Sequence, residues 1–134
     1  MVTDSHRVAV PATAGAATVL DAAALARLRE LDPTGQSDLV ARVLKAYQSS
    51  AARLMPQLES ARLAGHRAEV QLVAHTLKSS SASIGALRLS VLCAQVEALI
   101  RNETTDGLEE GIAAMTHAMA DTLQAIERLL ESKP

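Results

Sequence analysis

Val70-Gln71-Leu72-Val73-Ala74-His75-Thr76-Leu77-Lys78-Ser79-Ser80-Ser81-Ala82-Ser83-Ile84 is the stretch on which the reading of this chain turns. Within it Val70, Val73, Ala74, Leu77, Ser81 and Ile84 recur at the i, i+3, i+4, i+7 spacing of one helix face, the pattern of a helix packed on a core. His75 lies off that stripe. At about 100° per residue it points roughly 160° away from Leu77, among Ala68, Gln71, Leu72, Lys78, Ser79 and Ala82. The spacing therefore predicts a solvent-facing histidine with small neighbours and one cation beside it. Leu72, roughly 140° from the stripe centre, is an apolar side chain on the wet side and a candidate contact for a partner.

The helical period extends in both directions. Asp21 can cap a short helix with Ala24, Leu25, Leu28 and Leu31 on one side, and Asp32-Pro33-Thr34-Gly35 stops it. Gln36 or Ser37 opens a long helix whose face is Val40, Val43, Leu44, Tyr47, Ala51, Leu54 and Leu58, with Pro56 expected to bend it rather than end it. Ala64-Gly65-His66 then turns the chain into the His75 helix, which Gly85 ends or sharply kinks. Leu89, Leu92, Cys93, Val96, Leu99 and Ile100 mark the next helix. Asn102 to Gly107 form a turn, and Leu108, Ile112, Met115, Met119, Leu123, Ile126 and Leu130 give the last helix. No segment alternates with the period of two of a strand. The expected fold is all-α: an antiparallel up-and-down four-helix bundle with an additional short N-terminal helix. Residues 1–18 show no period and are expected to form a flexible N-terminal arm, leaving 19–134 as a single helical domain.

Composition narrows the function. The chain of 134 residues has room for one core, and although 49% of it is hydrophobic it has no Phe or Trp and a single Tyr, so that core is aliphatic. A net charge of −2 supplies no basic field for nucleic acid, and the missing aromatics remove the stacking platforms of single-strand binders; no nucleic-acid partner is expected. Cys93 has no second thiol for a disulfide or a Cys-based metal site, which points to a reducing compartment. No stretch reaches the about eighteen continuous apolar residues of a membrane span, and Pro11 and Gly15 interrupt the N-terminal stretch where a secretory signal needs an apolar block. A cytoplasmic protein that engages no membrane is the expectation. His6, His66 and His117 have no metal-ligand spacing to one another, Cys93 and the Met115/Met119 pair sit on core stripes, and no metal or cofactor is expected.

The run Ala74-His75-Thr76-Leu77-Lys78-Ser79-Ser80-Ser81, with Ile84-Gly85-Ala86 and the continuation Leu89, Cys93, Val96-Glu97, resembles a histidine-containing phosphotransfer (HPt) domain of bacterial phosphorelays. Helix order and loop lengths from about residue 20 to 132 are similar too, so the resemblance covers nearly the whole chain, with its specificity in about a dozen positions. It implies that His75 accepts a phosphoryl group from an aspartate of one receiver domain and gives it to an aspartate of another. The implied partners are a hybrid sensor histidine kinase and response-regulator receiver domains, with magnesium belonging to the receiver's aspartate pocket and this chain acting as a monomer. Glu97 stands where the family often has Glu or Gln near the imidazole's other nitrogen, which implies acceptance of the Nδ1 proton; a glutamate on a bundle surface is otherwise simply solvated. Most members carry Gly at the position of Ser79 and many carry Asn at that of Ser83, so serine at both is a departure.

The chemistry suits these residue types. A neutral, exposed imidazole offers a lone pair to a phospho-aspartate carried by a second protein, and in-line transfer requires that exposure. Lys78, one turn on, can reach the incoming phosphoryl oxygens, where at about 4 Å a unit charge pair is worth ~1 to 4 kcal/mol depending on local dielectric. Ser79 and Ala82 are small enough to clear the partner's approach, while Gln71 and Leu72 extend the docking face and Arg67 and Arg88 can meet an acidic rim. The Ser79 hydroxyl has two destinations: the phosphoryl group, or the helix carbonyl four residues back.

Other classes fit less well. No G-x-x-x-x-G-K-[ST] loop or paired-carboxylate site is present, so the histidine reads as a phosphocarrier rather than part of an autokinase enzyme. A kinase dimerisation helix typically follows its histidine with an acidic residue and a proline; here Thr76 follows, and the next proline is Pro134. The remaining alternative is a phosphorylation-independent helical docking module that binds a response regulator through the His75 face.

Overall fold

A computed structural model of the chain describes residues 19–131, so the arm expected over 1–18 lies outside the described residues, as do 132–134. Among the described residues there are five helices: α1 Ala22–Glu30, α2 Leu39–Ala64, α3 Arg67–Ser83, α4 Leu87–Arg101 and α5 Leu108–Glu131. Consecutive helices pack on one another and α5 closes the ring against α2. The cross-links give the directions. Gln48 bonds Glu127 while Arg62, fourteen residues on, meets Glu109, so α2 and α5 are antiparallel. His75–Glu97 and Lys78–Ser90 show the same for α3 and α4. The bundle is up-and-down, with α1 added at the end where α3 turns into α4.

Local chemistry accounts for the boundaries. The Asp21 side chain accepts from Ala24 N at 3.2 Å, capping α1 as its sequence predicts. α2 starts at Leu39, two to three residues later than Gln36 or Ser37. The reason is Asp32, whose carboxylate accepts from Ser37 N at 3.3 Å and from Leu39 N at 3.1 Å, so a residue just past the end of α1 satisfies the free amide at the start of α2. α2 continues through Pro56, which is exposed; the ring costs the bond to the carbonyl of Ala52 without ending the helix, because the turns on either side stay packed. Leu31, expected on the inner side of α1, lies past the helix end and is 74% exposed.

The core is the one the periodicity predicts. Leu44, Leu58, Leu77, Ile84, Leu89, Met115, Met119, Ile126 and Cys93 are all fully or almost fully buried. Burial pushes the Cys93 thiol up to about 12, with the nearby Glu97 carboxylate adding to the shift, so it packs as a small hydrophobe. Two polar groups enter this core together: Tyr47 Oη and Ser81 Oγ share a 2.7 Å hydrogen bond across α2 and α3, and Met119 Sδ lies 3.8 Å from the phenol. At the other end Arg62 holds Glu59 at 2.7 Å and Glu109 at 2.8 Å, an exposed network worth little on its own.

The α3–α4 corner is the tightest point. Gly85 has φ +86°, its carbonyl accepts from Asp21 N at 2.8 Å, and a Cβ there would sit 2.7 Å from Asp21 N and 2.9 Å from Asp21 O. Gly65, at φ +73° in the α2–α3 turn, has open space where its Cβ would be. Gly85→Ala should therefore cost about 3 kcal/mol, from the left-handed conformation plus the backbone clash, against about 1 kcal/mol for Gly65→Ala, which bears the conformational cost alone. Equilibrium urea unfolding followed by helical circular dichroism measures both; equal losses would mean the corner yields without strain.

Candidate functional site

The inner stripe of α3 is buried as a unit, with Val70, Val73, Ala74, Leu77 and Ser81 all between 0 and 3% exposed. That burial turns the opposite side outward, and the His75 side chain is 60% exposed. Beside it Ala68, Leu72, Ser79 and Ala82 are exposed and Gln71 and Lys78 half-buried, so the face expected from the sequence is assembled on one helix.

α4 supplies what the α3 sequence does not contain. Glu97, whose side chain is only 10% exposed, accepts from His75 Nδ1 at 2.7 Å with one carboxylate oxygen and from Lys78 Nζ at 2.7 Å with the other. The Lys78 ammonium first, and the His75 hydrogen bond after it, hold the Glu97 carboxyl below the usual carboxylate range against the opposing effect of burial. An ionised carboxylate only accepts, so the shared proton belongs to Nδ1, and the tautomer this selects carries its lone pair on Nε2. Glu97 is thus no simply solvated glutamate, because burying its carboxylate requires the two donors it has. Lys78, the cation expected beside His75, is paired with Glu97.

Two further features of α4 were not apparent beforehand. Ser90 donates to the main-chain oxygen of Lys78 at 2.8 Å, tying the helices together at the level of the site; its position seven residues before Glu97, on the same face, was the available signal. Leu87 and Val91, four apart, are 46% and 54% exposed and give α4 an apolar outer edge to match Leu72 on α3. The other histidines stay apart: His66 lies at the α2–α3 turn, 4.0 Å from Glu69, His117 is exposed on α5, and His6 lies outside the described residues.

Residues 42–131 match the family model of the Hpt domain. The chain belongs to the Hpt family. The Hpt fold is seen also in the crystal structure of histidine-containing phosphotransfer protein B (HptB) from Pseudomonas aeruginosa PAO1, which superposes with a TM-score of 0.78 at 22% identity, covering 88% of this chain and 99% of that one. At that identity the likeness is one of fold. No curated protein matches the chain by sequence. As an Hpt domain it is a phosphotransfer module of two-component signalling, in a family of phosphocarriers that work with receiver domains and kinases. The match begins within α2 and includes Gly85, whose carbonyl accepts from Asp21 at the start of α1. Among the described residues no helix is long and apolar enough to cross a membrane.

The cause of the Glu97 shift gives a pH prediction. A carboxyl whose folded-state pKa is depressed contributes stability above its unfolded value, about 4.3, and loses it as pH falls through the folded-state value. Carboxyl-carbon NMR should place the Glu97 midpoint below that ordinary value in the wild type. Lys78→Met should raise it more than His75→Gln does; the reverse order would mean that the imidazole, rather than the ammonium, dominates.

Proposed function

We propose that His75 accepts a phosphoryl group from a receiver-domain aspartate of a hybrid sensor histidine kinase and passes it to the aspartate of a response regulator. The observation that carries this reading is the pinned imidazole: Nδ1 is held by a buried, ionised Glu97 while the ring stands 60% exposed on a face of small side chains. In the forward step the Nε2 lone pair forms the N–P bond as the acyl phosphate's P–O bond breaks, and the aspartate leaves with the electron pair as a carboxylate. Nδ1 keeps its proton, and the positive charge that develops on the ring lies against Glu97. Transfer onward is the same step in reverse on a second receiver.

The neighbouring residues divide the remaining work. Lys78, already charge-paired beside the imidazole, turns from Glu97 toward the phosphoryl oxygens once they arrive, exchanging one anion for another. Ser79 and Ala82 leave room for the receiver's active-site rim. Gln71 and Leu72 on α3, with Leu87 and Val91 on α4, form the docking face, and Arg67 and Arg88 meet the acidic edge of the receiver pocket. Magnesium belongs to that pocket. The domain works in the cytoplasm, and as a monomer, because the same exposed face has to be free to engage two receivers in turn.

Incubation with a phosphorylated receiver domain, read by intact mass, tests this directly. One phosphoryl group should appear on the wild type, labile in acid and stable in base, and none on His75→Gln. A folded wild type that binds receivers but takes no label would instead make the domain a docking module, and a label surviving in His75→Gln would place the acceptor elsewhere.

A further inference from the structure

The serines around His75 differ in what their hydroxyls do. Ser80 Oγ donates back to the carbonyls of Thr76 and Leu77 at 3.3 and 3.4 Å, and Ser83 Oγ donates to that of Ser79 at 3.1 Å. Ser90 Oγ is on the Lys78 carbonyl and Ser81 Oγ is on the Tyr47 phenol. Ser79 is the exception. The carbonyl of His75 lies four residues back, where Ser83 finds its own partner, yet the Ser79 hydroxyl has no hydrogen-bond partner among the described residues and the side chain is exposed.

Its place on the helix gives that free hydroxyl a direction. Ser79 is four residues after His75, with Cβ atoms about 5–6 Å apart, and helical side chains lean toward the N-terminus, so its hydroxyl has the reach to turn toward the imidazole. Lys78, three residues after His75, is on the other side of the ring, its ammonium engaged by Glu97. Thr76 also has an exposed side chain, but adjacent residues do not face one another on a helix. A phosphoryl group arriving on Nε2 therefore meets two donors of different readiness: an ammonium that must first leave a 2.7 Å ion pair, and a hydroxyl with nothing to give up.

We propose that Ser79 donates a hydrogen bond to a phosphoryl oxygen of phosphorylated His75 and slows the loss of the group to water. This rests on His75 being the phosphoacceptor. Expulsion from the ring runs through a loose, metaphosphate-like transition state, in which the N–P bond breaks, Nε2 recovers its electron pair and water takes the phosphorus. The equatorial oxygens carry more negative charge before that point than at it, so a donor bound to them stabilises the phosphorylated state more than the transition state. A hydrogen bond to a charged acceptor is strong enough to change the lifetime of the phosphohistidine by roughly tenfold.

The test loads the protein with phosphoramidate, a small donor that needs no receiver, removes the donor, and follows the decay of the label by intact mass and 31P NMR. Ser79→Ala should load at His75 and lose the group about three- to tenfold faster than wild type, with an unchanged melting temperature and a shifted 31P resonance. Ser79→Thr, which restores the hydroxyl, should return both lifetime and shift toward wild type. Equal decay rates for wild type and Ser79→Ala overturn the role of the hydroxyl while leaving His75 as the carrier. Fast decay in Ser79→Thr as well would assign the effect to shape rather than to hydrogen bonding and overturn the proposal too. A wild type that takes no label on His75 from phosphoramidate or from a phosphorylated receiver overturns the carrier reading, and this inference with it.

Discussion

The burial of one stripe of α3 is the constraint on which everything else rests. Val73, Ala74, Leu77 and Ser81 are at most 1% exposed, and the neighbouring α2 and α4 close over them. A helix has a fixed angle per residue, so once these positions are committed to the core, His75 has nowhere to go but outward. Exposure of the imidazole is thus a consequence of packing several residues away. It needs no local strain and no loop. With α4 packed alongside, Glu97 and Ser90 come within hydrogen-bond reach of His75 and of the Lys78 carbonyl.

Electrostatics then sharpens what packing has placed. A nearly buried carboxylate is costly alone, and Glu97 is stable there because it receives one donor from a cation and one from the ring. The same arrangement selects the tautomer of His75 and keeps a positive charge within one turn of the reactive nitrogen. The buried pair of Tyr47 and Ser81 solves a similar problem inside the core, where burial pushes the phenol up to about 12 and the Ser81 hydroxyl partly offsets the shift. Both pairs join α3 to a neighbouring helix, so polar contacts fix its rotation and height while aliphatic side chains supply the bulk of the burial.

At the corner after α3 the backbone is fixed by contact rather than by preference. Gly85 brings its chain against Asp21 closely enough that a single carbon would collide with the main chain there, and the resulting bond ties α1 to the bundle end. Asp32, just past the end of α1, has a comparable double duty, accepting from Ser37 N in the loop and from Leu39 N, the first amide of α2. These two residues set where the short helix sits, and with it the cover over that end of the core.

Periodicity alone determined the all-helical class, the helix order, the inner faces of the four long helices and the outward direction of His75, because these depend on angles along one chain and on the aversion of apolar side chains to water. The positions of Leu31 and of the α2 start were misjudged by the same reasoning. Leu31 lies just past the last turn of α1, which main-chain bonds close, and the α2 start depends on the Asp32 carboxylate reaching the Leu39 amide, which is settled only when the loop closes. The resemblance pointed to Glu97 on Nδ1; what tertiary structure decided is the partnership itself: that Glu97, 22 residues away, reaches Nδ1 with one oxygen and Lys78 with the other, and that of the serines near His75 only Ser79 is left with a free hydroxyl. Such pairings are set by the relative height and rotation of two helices, to within a fraction of a turn, and no single helix carries that information in its own sequence.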